Sequence, residues 1–320
     1  MYIGKKYAMM CQKDVNKMID FHRVSLADRE EYSRILAEAP PRGCEYSFAN
    51  LFLWGRQHIA LRHGCAALFS HFYGRSVYPF PIGDGDKAAV IREILSDAKK
   101  RGLPCRITGM TDADRAFLEE TFPDTFHFRT DRDSYDYVYQ TDALADLRGR
   151  KYQKKRNHFN RFQLQHPGYE VLPLTAELLP AAKEMVDQWY ETRAVTDPEG
   201  DYLLERRAIG LAFANFEALQ LEGLVLVEEG KILAVTMGSR MREESFDIHF
   251  EKALEDVDGA YAAVNCEFAR YLRLKYPQVR YLNREDDMGL EGLRKAKLSY
   301  LPDHMVEKHW AYLKEELYAP

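Results

Sequence analysis

Strand patterns run over His58–Arg62, Ala66–Phe72 and Ser76–Phe80, and His63-Gly64 between the first two is a hairpin signal, so the first half of the chain is expected to build an antiparallel meander. The period then changes. Pro81-Ile-Gly-Asp-Gly85 turns into Lys87–Arg101, where Ile91, Ile94, Leu95 and Ala98 fall on one face of a helix. Arg106–Gly109 reads as a short strand, Asp112–Glu120 as another helix, and Asp136–Tyr139 as a closing strand. Upstream, Met18–Leu26 leads into a helix capped near Asp28, and Glu45–Trp54 reads as one or two buried helical turns.

The second half repeats this order. Gly223–Val227, Ile232–Met241 and Ser245–Phe250 form a meander around a Glu229-Gly230 turn. Gly259–Lys275 aligns Ala260, Val264, Phe268 and Leu272 on one helical face, and Val279–Leu282 reads as a strand. A duplicated α+β unit follows, without a repeat at the level of residues. The expected division is an N-terminal extension over 1–17, a first domain over 18–140, a basic linking helix over 141–166 and a second domain over 167–320. The extension lacks an apolar pattern, so a structural role is not expected for it.

A chain of 320 residues fits two domains, and 46% hydrophobic residues suffice for two cores. The net charge of −5 argues against global attraction to nucleic acid or anionic membrane, so a local basic cluster would have to act alone. Cys11, Cys44, Cys65, Cys105 and Cys266 are odd in number and far apart, the pattern of reduced thiols rather than of a zinc site or disulfide framework. No apolar run nears the ~20 residues that span a bilayer, and the first residues lack the apolar core of a secretory signal. A soluble, cytoplasmic protein without a metal is expected.

Three segments carry candidate chemistry. Leu147–Phe162 holds seven cations and no acid, among them Arg150, Lys151, Lys154, Lys155 and Arg156. Tyr152, Phe159 and Phe162 interleave with them, and cations with aromatics suit a phosphate-bearing ligand. A linker helix packing its aromatics on both domains is the plainer alternative. In Phe246–Ala253 the polar residues Asp247, His249 and Glu251 alternate with Phe246, Ile248 and Phe250, which places them on one face of a strand, where His249 or Glu251 would serve as a general base. A solvent-facing strand would show the same alternation. Lys252 and the helix entry at Gly259-Ala-Tyr261, with Asn265 one turn on, follow directly, and a helix N-terminus there suits an anion. Lastly, Tyr281–Pro302 packs Arg284, Glu285, Asp286, Asp287, Arg294 and Lys297 behind a short strand. Loops at strand ends often present working groups, although acids at a helix start also complement its dipole.

The phosphate-binding loop, the dinucleotide fingerprint, the zinc-protease helix and the serine-hydrolase elbow are all missing. The loop before Ala260 also lacks the closely spaced glycines of an acetyl-coenzyme A cradle. Glu45-Tyr-Ser-Phe-Ala-Asn50, Gly149-Arg-Lys-Tyr with Lys155-Arg-Asn157, His249-Phe-Glu-Lys-Ala253, Gly259-Ala-Tyr261 and Asn283-Arg-Glu-Asp-Asp with Gly289 together resemble the soluble relatives of the phosphatidylglycerol lysyltransferase C-terminal domain. The resemblance runs from about Met18 to Leu313. It implies two tandem GNAT-like (acyl-CoA N-acyltransferase-like) domains with mixed sheets flanked by helices, related to Fem-type transferases. In those, an aminoacyl group passes from aminoacyl-tRNA to an amine or hydroxyl.

The expected function is thus acyl or aminoacyl transfer, with aminoacyl-tRNA as donor and no permanently bound cofactor. The acceptor would be a small molecule, a peptide or a lipid headgroup. Catalysis would fall to His249, Glu251 and Asp287. Substrate would be held by Arg284, Glu285, Arg294, Lys297, Lys252, Tyr261 and Asn265, and the tRNA acceptor end by Arg150, Lys151, Lys154, Lys155 and Arg156. An acyl-CoA-dependent N-acyltransferase is the enzymatic alternative, and a non-catalytic GNAT-like ligand- or RNA-binding protein is the rival from another class.

Overall fold

A computed structural model describes residues 18–54, 56–72, 75–193 and 201–314. The extension over 1–17, with Cys11, lies outside the described residues. The chain divides into two compact units, one made of the residues up to Arg132 together with those from Glu307 on, the other spanning Asp133–Val306.

The first unit is a seven-stranded mixed sheet. His22–Arg23 (β1), Gln57–Arg62 (β2), Cys65–Phe72 (β3) and Arg75–Pro79 (β4) pair antiparallel in sequence order. The crossover helix Lys87–Arg101 (α3, after α1 at Arg29–Glu38 and α2 at Phe48–Leu53) returns the chain so that Arg106–Met110 (β5) lies parallel to β4. Helix α3 starts where the Asp86 side chain accepts from the Ala89 amide and stops at Gly102, whose φ of +65° no side-chain-bearing residue adopts readily. It buries Val90, Ile91, Ile94 and Ala98. After Asp112–Thr121 (α4), Phe126–Thr130 (β6) completes the local run. The seventh strand is His309–Leu313 (β14), inserted between β5 and β6 and antiparallel to both.

The second unit has the same plan. Asp136–Gln140 (β7) is followed by Thr141–Asp146 (α5), Gln153–Gln165 (α6), Glu170–Pro173 (β8), Leu179–Arg193 (α7) and Asp201–Ala214 (α8). Glu222–Glu228 (β9), Lys231–Arg240 (β10) and Ser245–Ala253 (β11) form the meander, and Ala260–Lys275 (α9) crosses over to Tyr281–Asn283 (β12), parallel to β11. Glu291–Leu298 (α10) and His304–Val306 (β13) follow, giving the sheet order β13-β7-β12-β11-β10-β9-β8. Both units are therefore α+β, with a mixed sheet flanked by helices.

Two boundaries differ from the sequence reading. Asp136–Gln140 does not close the first domain but pairs inside the second sheet, where it holds the place that β14 holds in the first. The basic stretch is not one helix either. Leu147 (φ +50°) and Gly149 (φ +84°) are left-handed and end α5, and a 3-10 turn at Arg150–Tyr152 restarts the chain into α6. Tyr152, Phe159 and Phe162 sit, as cluster members, in the core under α9, so these aromatics serve packing.

Candidate functional site

The site is set by a fork between two parallel strands. β11 and β12 pair only at Ser245/Tyr281, Phe246/Leu282 and Asp247/Asn283. Beyond them β11 continues along β10, while the chain after Asn283 stays with β7, with Arg284 N donating to Tyr137 O at 2.9 Å and Tyr137 N to Glu285 O at 3.1 Å. Side chains occupy the gap between the departing strands.

A β-bulge decides which side chains go where. Across β10 and β11, Met237 faces Phe250 and Gly238 faces Ile248, so His249 is the extra residue. The bulge reverses the alternation. Phe246, Ile248 and Ala253 belong to the apolar cluster under α9, and Glu251 bonds Asn265 of α9, whereas Lys252 lies over Trp189 of α7. The shared face expected for Asp247, His249 and Glu251 is therefore corrected: Glu251 turns towards α9, and His249 and Asp247 turn away. Gly238 makes this close approach feasible, since a Cβ there would lie 2.1 Å from Asp247 O.

On the α9 side, Arg284 Nη2 donates to Glu251 Oε1 at 2.9 Å and Asn265 Nδ2 to Glu251 Oε2 at 3.3 Å. Arg284 lies 4.9 Å from the Tyr300 ring centre and 5.8 Å from that of Tyr139. Lys155, reaching in from α6, sets its ammonium 3.8 Å from the Tyr300 ring centre. Burial, then the nearby Arg284 cation, bring its pKa down to about 8 against the pull of Glu251. Three buried polar atoms here have no hydrogen-bond partner among the described residues: Arg284 Nη1, Asn265 Oδ1 and the hydroxyl of Thr236, the residue paired with Glu251 across the strands. Burying such an atom without a partner costs roughly 1–3 kcal/mol, so it is uncommon unless a ligand completes it.

On the other side, His249 Nε2 lies 2.9 Å from Ser239 Oγ, and its Nδ1 lies 3.1 Å from Glu285 Oε1 and 3.6 Å from Asp247 Oδ2. Asp247, His249 and Glu285 have donor atoms within 4.8 Å of one another, one of two such groups of potential metal ligands among the described residues. Glu285 is left-handed (φ +57°), held by its amide donating to Asn283 Oδ1 at 2.7 Å. Lys252 is fixed by Glu205 of α8 at 2.8 Å and by the Trp189 ring at 3.9 Å.

The remaining residues of the late loop do a different job. Asp287 is fully buried, accepting from Arg294 Nε and Nη2 at 2.8 Å each, from the Gly289 amide at 2.9 Å and from the Tyr137 hydroxyl. Burial alone would raise its pKa, but the bonds from Arg294, Tyr137 and Gly289 hold it at about 2. Arg294 also pairs with Asp133 at 2.6 Å. Lys297 donates to Arg284 O at 2.5 Å and to Asp286 O, so it braces loop backbone. The catalytic role expected for Asp287 and the shared substrate-binding role expected for Arg284, Arg294 and Lys297 therefore do not match one group of side chains in the structure. Arg284 meets Glu251, whereas the polar atoms of Asp287, Arg294 and Lys297 are engaged in holding the loop.

Of the basic cluster, Arg150, Lys151 and Lys154 are exposed. Arg156 caps carbonyls of Leu147 and Gly149, the latter at 3.0 Å, and Lys155 turns inward to Tyr300. Tyr261 stands 39% exposed on the first turn of α9, while Asn265 one turn on is buried. The four described cysteines are buried, and burial pushes the Cys266 thiol up to about 12, which leaves no reactive thiolate there. Ser239, Tyr139 and Tyr300 join the site without any motif to announce them; only their strand and helix neighbours bring them there.

The sequence profile described as Phosphatidylglycerol lysyltransferase, C-terminal, matches residues 36–312. The chain belongs to this family. A conserved protein of unknown function from Bacteroides thetaiotaomicron is 39% identical, with 93% of this chain and 100% of that one covered and a TM-score of 0.87. L-PGS from Bacillus licheniformis shares the fold at 18% identity and a TM-score of 0.62, covering 89% of this chain and 91% of its own. FemX does so at 12% identity and a TM-score of 0.56, covering 94% and 99%. An uncharacterized protein of Mycoplasmoides gallisepticum is 25% identical over 177 residues, so the match spans about half (55%) of the length of that curated relative. The profile thus gives the family, and the likeness to L-PGS and FemX gives a shared α+β fold of mixed sheets flanked by helices. No helix among the described residues is long and apolar enough to cross a membrane.

Proposed function

We propose that the chain transfers an aminoacyl group from the end of a charged tRNA to an amine or hydroxyl acceptor, with the chemistry in the fork between β11 and β12. The observation that carries this reading is the set of unpartnered buried atoms of Arg284, Asn265 and Thr236 where the strands part. An ester carbonyl suits Arg284 Nη1, and a substrate N–H or O–H suits Asn265 Oδ1. A cationic group aimed at a developing oxyanion in a water-poor site lowers the barrier more than the same group in water. His249 is the base nearest to the fork on the far side.

The donor follows from charge and space. Arg150, Lys151 and Lys154 offer an exposed cationic strip for phosphates. The start of α9, where a coenzyme A pyrophosphate would be sought, is crowded by α6: a Cβ on Gly259 would lie 2.4 Å from His158 O. That crowding favours tRNA over coenzyme A.

Filter binding and transfer assays with charged tRNA, run beside melting curves with coenzyme A and acyl-coenzyme A, test the proposal. Salt-dependent tRNA binding with transfer to a small amine supports it. A raised melting point with acyl-coenzyme A, without tRNA binding, rejects it in favour of the coenzyme A reading.

A further inference from the structure

Two lysines that turn inward in the second unit are tied to oxygen. Lys252 Nζ meets both Glu205 oxygens at 2.8 Å, and Lys297 donates to Arg284 O at 2.5 Å and to Asp286 O. Lys155 is different. Half-buried on the first turn of α6, it meets no carboxylate or carbonyl among the described residues, and its Nζ rests 3.8 Å from the centre of the Tyr300 ring. A ring face attracts a cation, but the Arg284 guanidinium lies against the same ring at 4.9 Å. Burial, then that neighbouring cation, outweigh the pull of Glu251 and bring the amine to about 8, so it gives up its proton close to neutral pH.

The place of this amine matters as much as its charge. Arg284, Glu251 and Asn265 meet on the α9 side of the sheet, where Arg284 Nη1, Asn265 Oδ1 and the Thr236 hydroxyl have no partner among the described residues. The other groups that face this point are poor proton acceptors. Both Glu251 oxygens are taken, by Arg284 and by Asn265. Burial pushes the Tyr139 and Tyr300 hydroxyls up, so they stay protonated. His249 lies on the opposite side, with Nε2 2.9 Å from Ser239 Oγ and Nδ1 3.1 Å from Glu285 Oε1, so both ring nitrogens are engaged. On its own helix and turn, Lys151 and Lys154 are exposed. Lys155 is left as the group that joins an available lone pair to this side of the fork.

We infer that Lys155 is the catalytic base of the transfer, taking the acceptor's proton on the side where Arg284 receives the carbonyl, an inference that rests on the acyl-transfer reading above. The acceptor nitrogen attacks the carbonyl carbon of the donor ester, a C–N bond forms, and the carbonyl oxygen takes up negative charge beside Arg284 Nη1. One N–H proton passes to Lys155 Nζ. The ammonium formed there lies against the Tyr300 ring and near the oxyanion, which both favour it. The bond from the carbonyl carbon to the donor oxygen then breaks, and that oxygen takes the proton from Lys155. The products are an amide and the donor's free hydroxyl, and Lys155 is neutral again. A thioester donor obeys the same proton count. Binding and turnover therefore respond to pH in opposite directions: an anion gains from the ammonium, whereas proton transfer needs the amine.

The test follows transfer by the full chain to methoxyamine, an amine too weakly basic to titrate in this range, from charged tRNA and from acyl-coenzyme A. In wild type kcat should rise with pH through about 8 and then level off. Lys155→Met should lower kcat about 100-fold with KM little changed, and should erase the step. Lys155→Arg keeps a cation on the ring but releases no proton in this range, so it should be as slow as Lys155→Met. Labelling with acetic anhydride and peptide mass mapping reads the titration of Lys155 without any donor, with the midpoint at about 8 in place of the ordinary ~10.4. Circular dichroism and melting curves establish that each variant is folded. Activity kept in Lys155→Met, activity restored in Lys155→Arg, or an ordinary lysine midpoint overturns the inference and leaves wild-type transfer in place. A wild type that transfers from neither donor instead rejects the acyl-transfer reading, and the base falls with it.

Discussion

Two arginine–carboxylate pairs arise from the same short loop, and they differ in how completely they are satisfied. In Arg294–Asp287 both carboxylate oxygens are used, with two guanidinium nitrogens, a tyrosine hydroxyl and a backbone amide converging on them. In Arg284–Glu251 a single 2.9 Å bond joins the partners, and Arg284 Nη1 ends without one. Evenly satisfied charge is what a structural joint needs. A buried donor with nothing to bind is costly in a fold and useful to a ligand, which is why the second pair and not the first is placed in the site.

Removing the first pair should produce the largest effect. Asp287→Ala should lose about 2–3 kcal/mol in urea denaturation, less than the roughly 3–5 kcal/mol of a fully buried pair because Arg294 is partly exposed to screening solvent. The loss should depend on pH with a defined sign. Asp287 has its folded pKa depressed to about 2, so its contribution is complete above the unfolded value near 4 and fades as pH falls towards 2. Wild type and variant should converge over that interval. A variant as stable as wild type at pH 7 would remove the distinction between the two pairs.

Replacing the second pair by apolar groups should separate stability from activity. Arg284→Met with Glu251→Leu should stay within about 1 kcal/mol of wild type, since a buried ion pair exchanged as a unit is often nearly neutral. Transfer, measured with charged tRNA, should drop by about 100-fold or more, the loss of one oxyanion donor. A large stability loss with activity retained would move this pair into the structural class.

A smaller effect is expected on the cationic strip. Arg150→Ala, Lys151→Ala and Lys154→Ala combined should leave the melting temperature almost unchanged and lower the slope of log affinity against log salt by about 2 for a single-stranded acceptor end. The smallest concerns Lys155. If its ammonium assists anion binding, wild-type affinity should fall as pH rises through about 8, and Lys155→Met should flatten that step.

Local order was legible in the residues to a useful degree. Helix α3 follows from its apolar spacing, and the meander and crossover of the second unit follow from its change of period. The bulge did not show, because Phe246-Asp-Ile-His-Phe-Glu251 alternates without a break and the cause lies across the sheet at Gly238. The positive charge of 147–162 was plain, but which cations point outward depends on Tyr300 and on the Leu147 and Gly149 carbonyls, all brought there by tertiary packing. The run of acids in the late block is plain in the residues. Their division between Asp287, which holds the loop, and Glu285, which meets His249, is written only in the backbone turn at Glu285.

The place of β14 bears on how the protein is made. Strands β5 and β6 leave the ribosome early, yet the strand that joins them arrives much later, with Thr130 and its partner His309 separated by 179 positions. Until then each presents a row of unpaired amides and carbonyls, the kind of edge that recruits a strand from another chain. Nascent chains halted before His309 should therefore engage holding chaperones or aggregate, however well the residues up to Arg132 are packed. Closure of a loop that long also makes the final pairing slow, so the open edges of β5 and β6 outlast the synthesis of β14 itself.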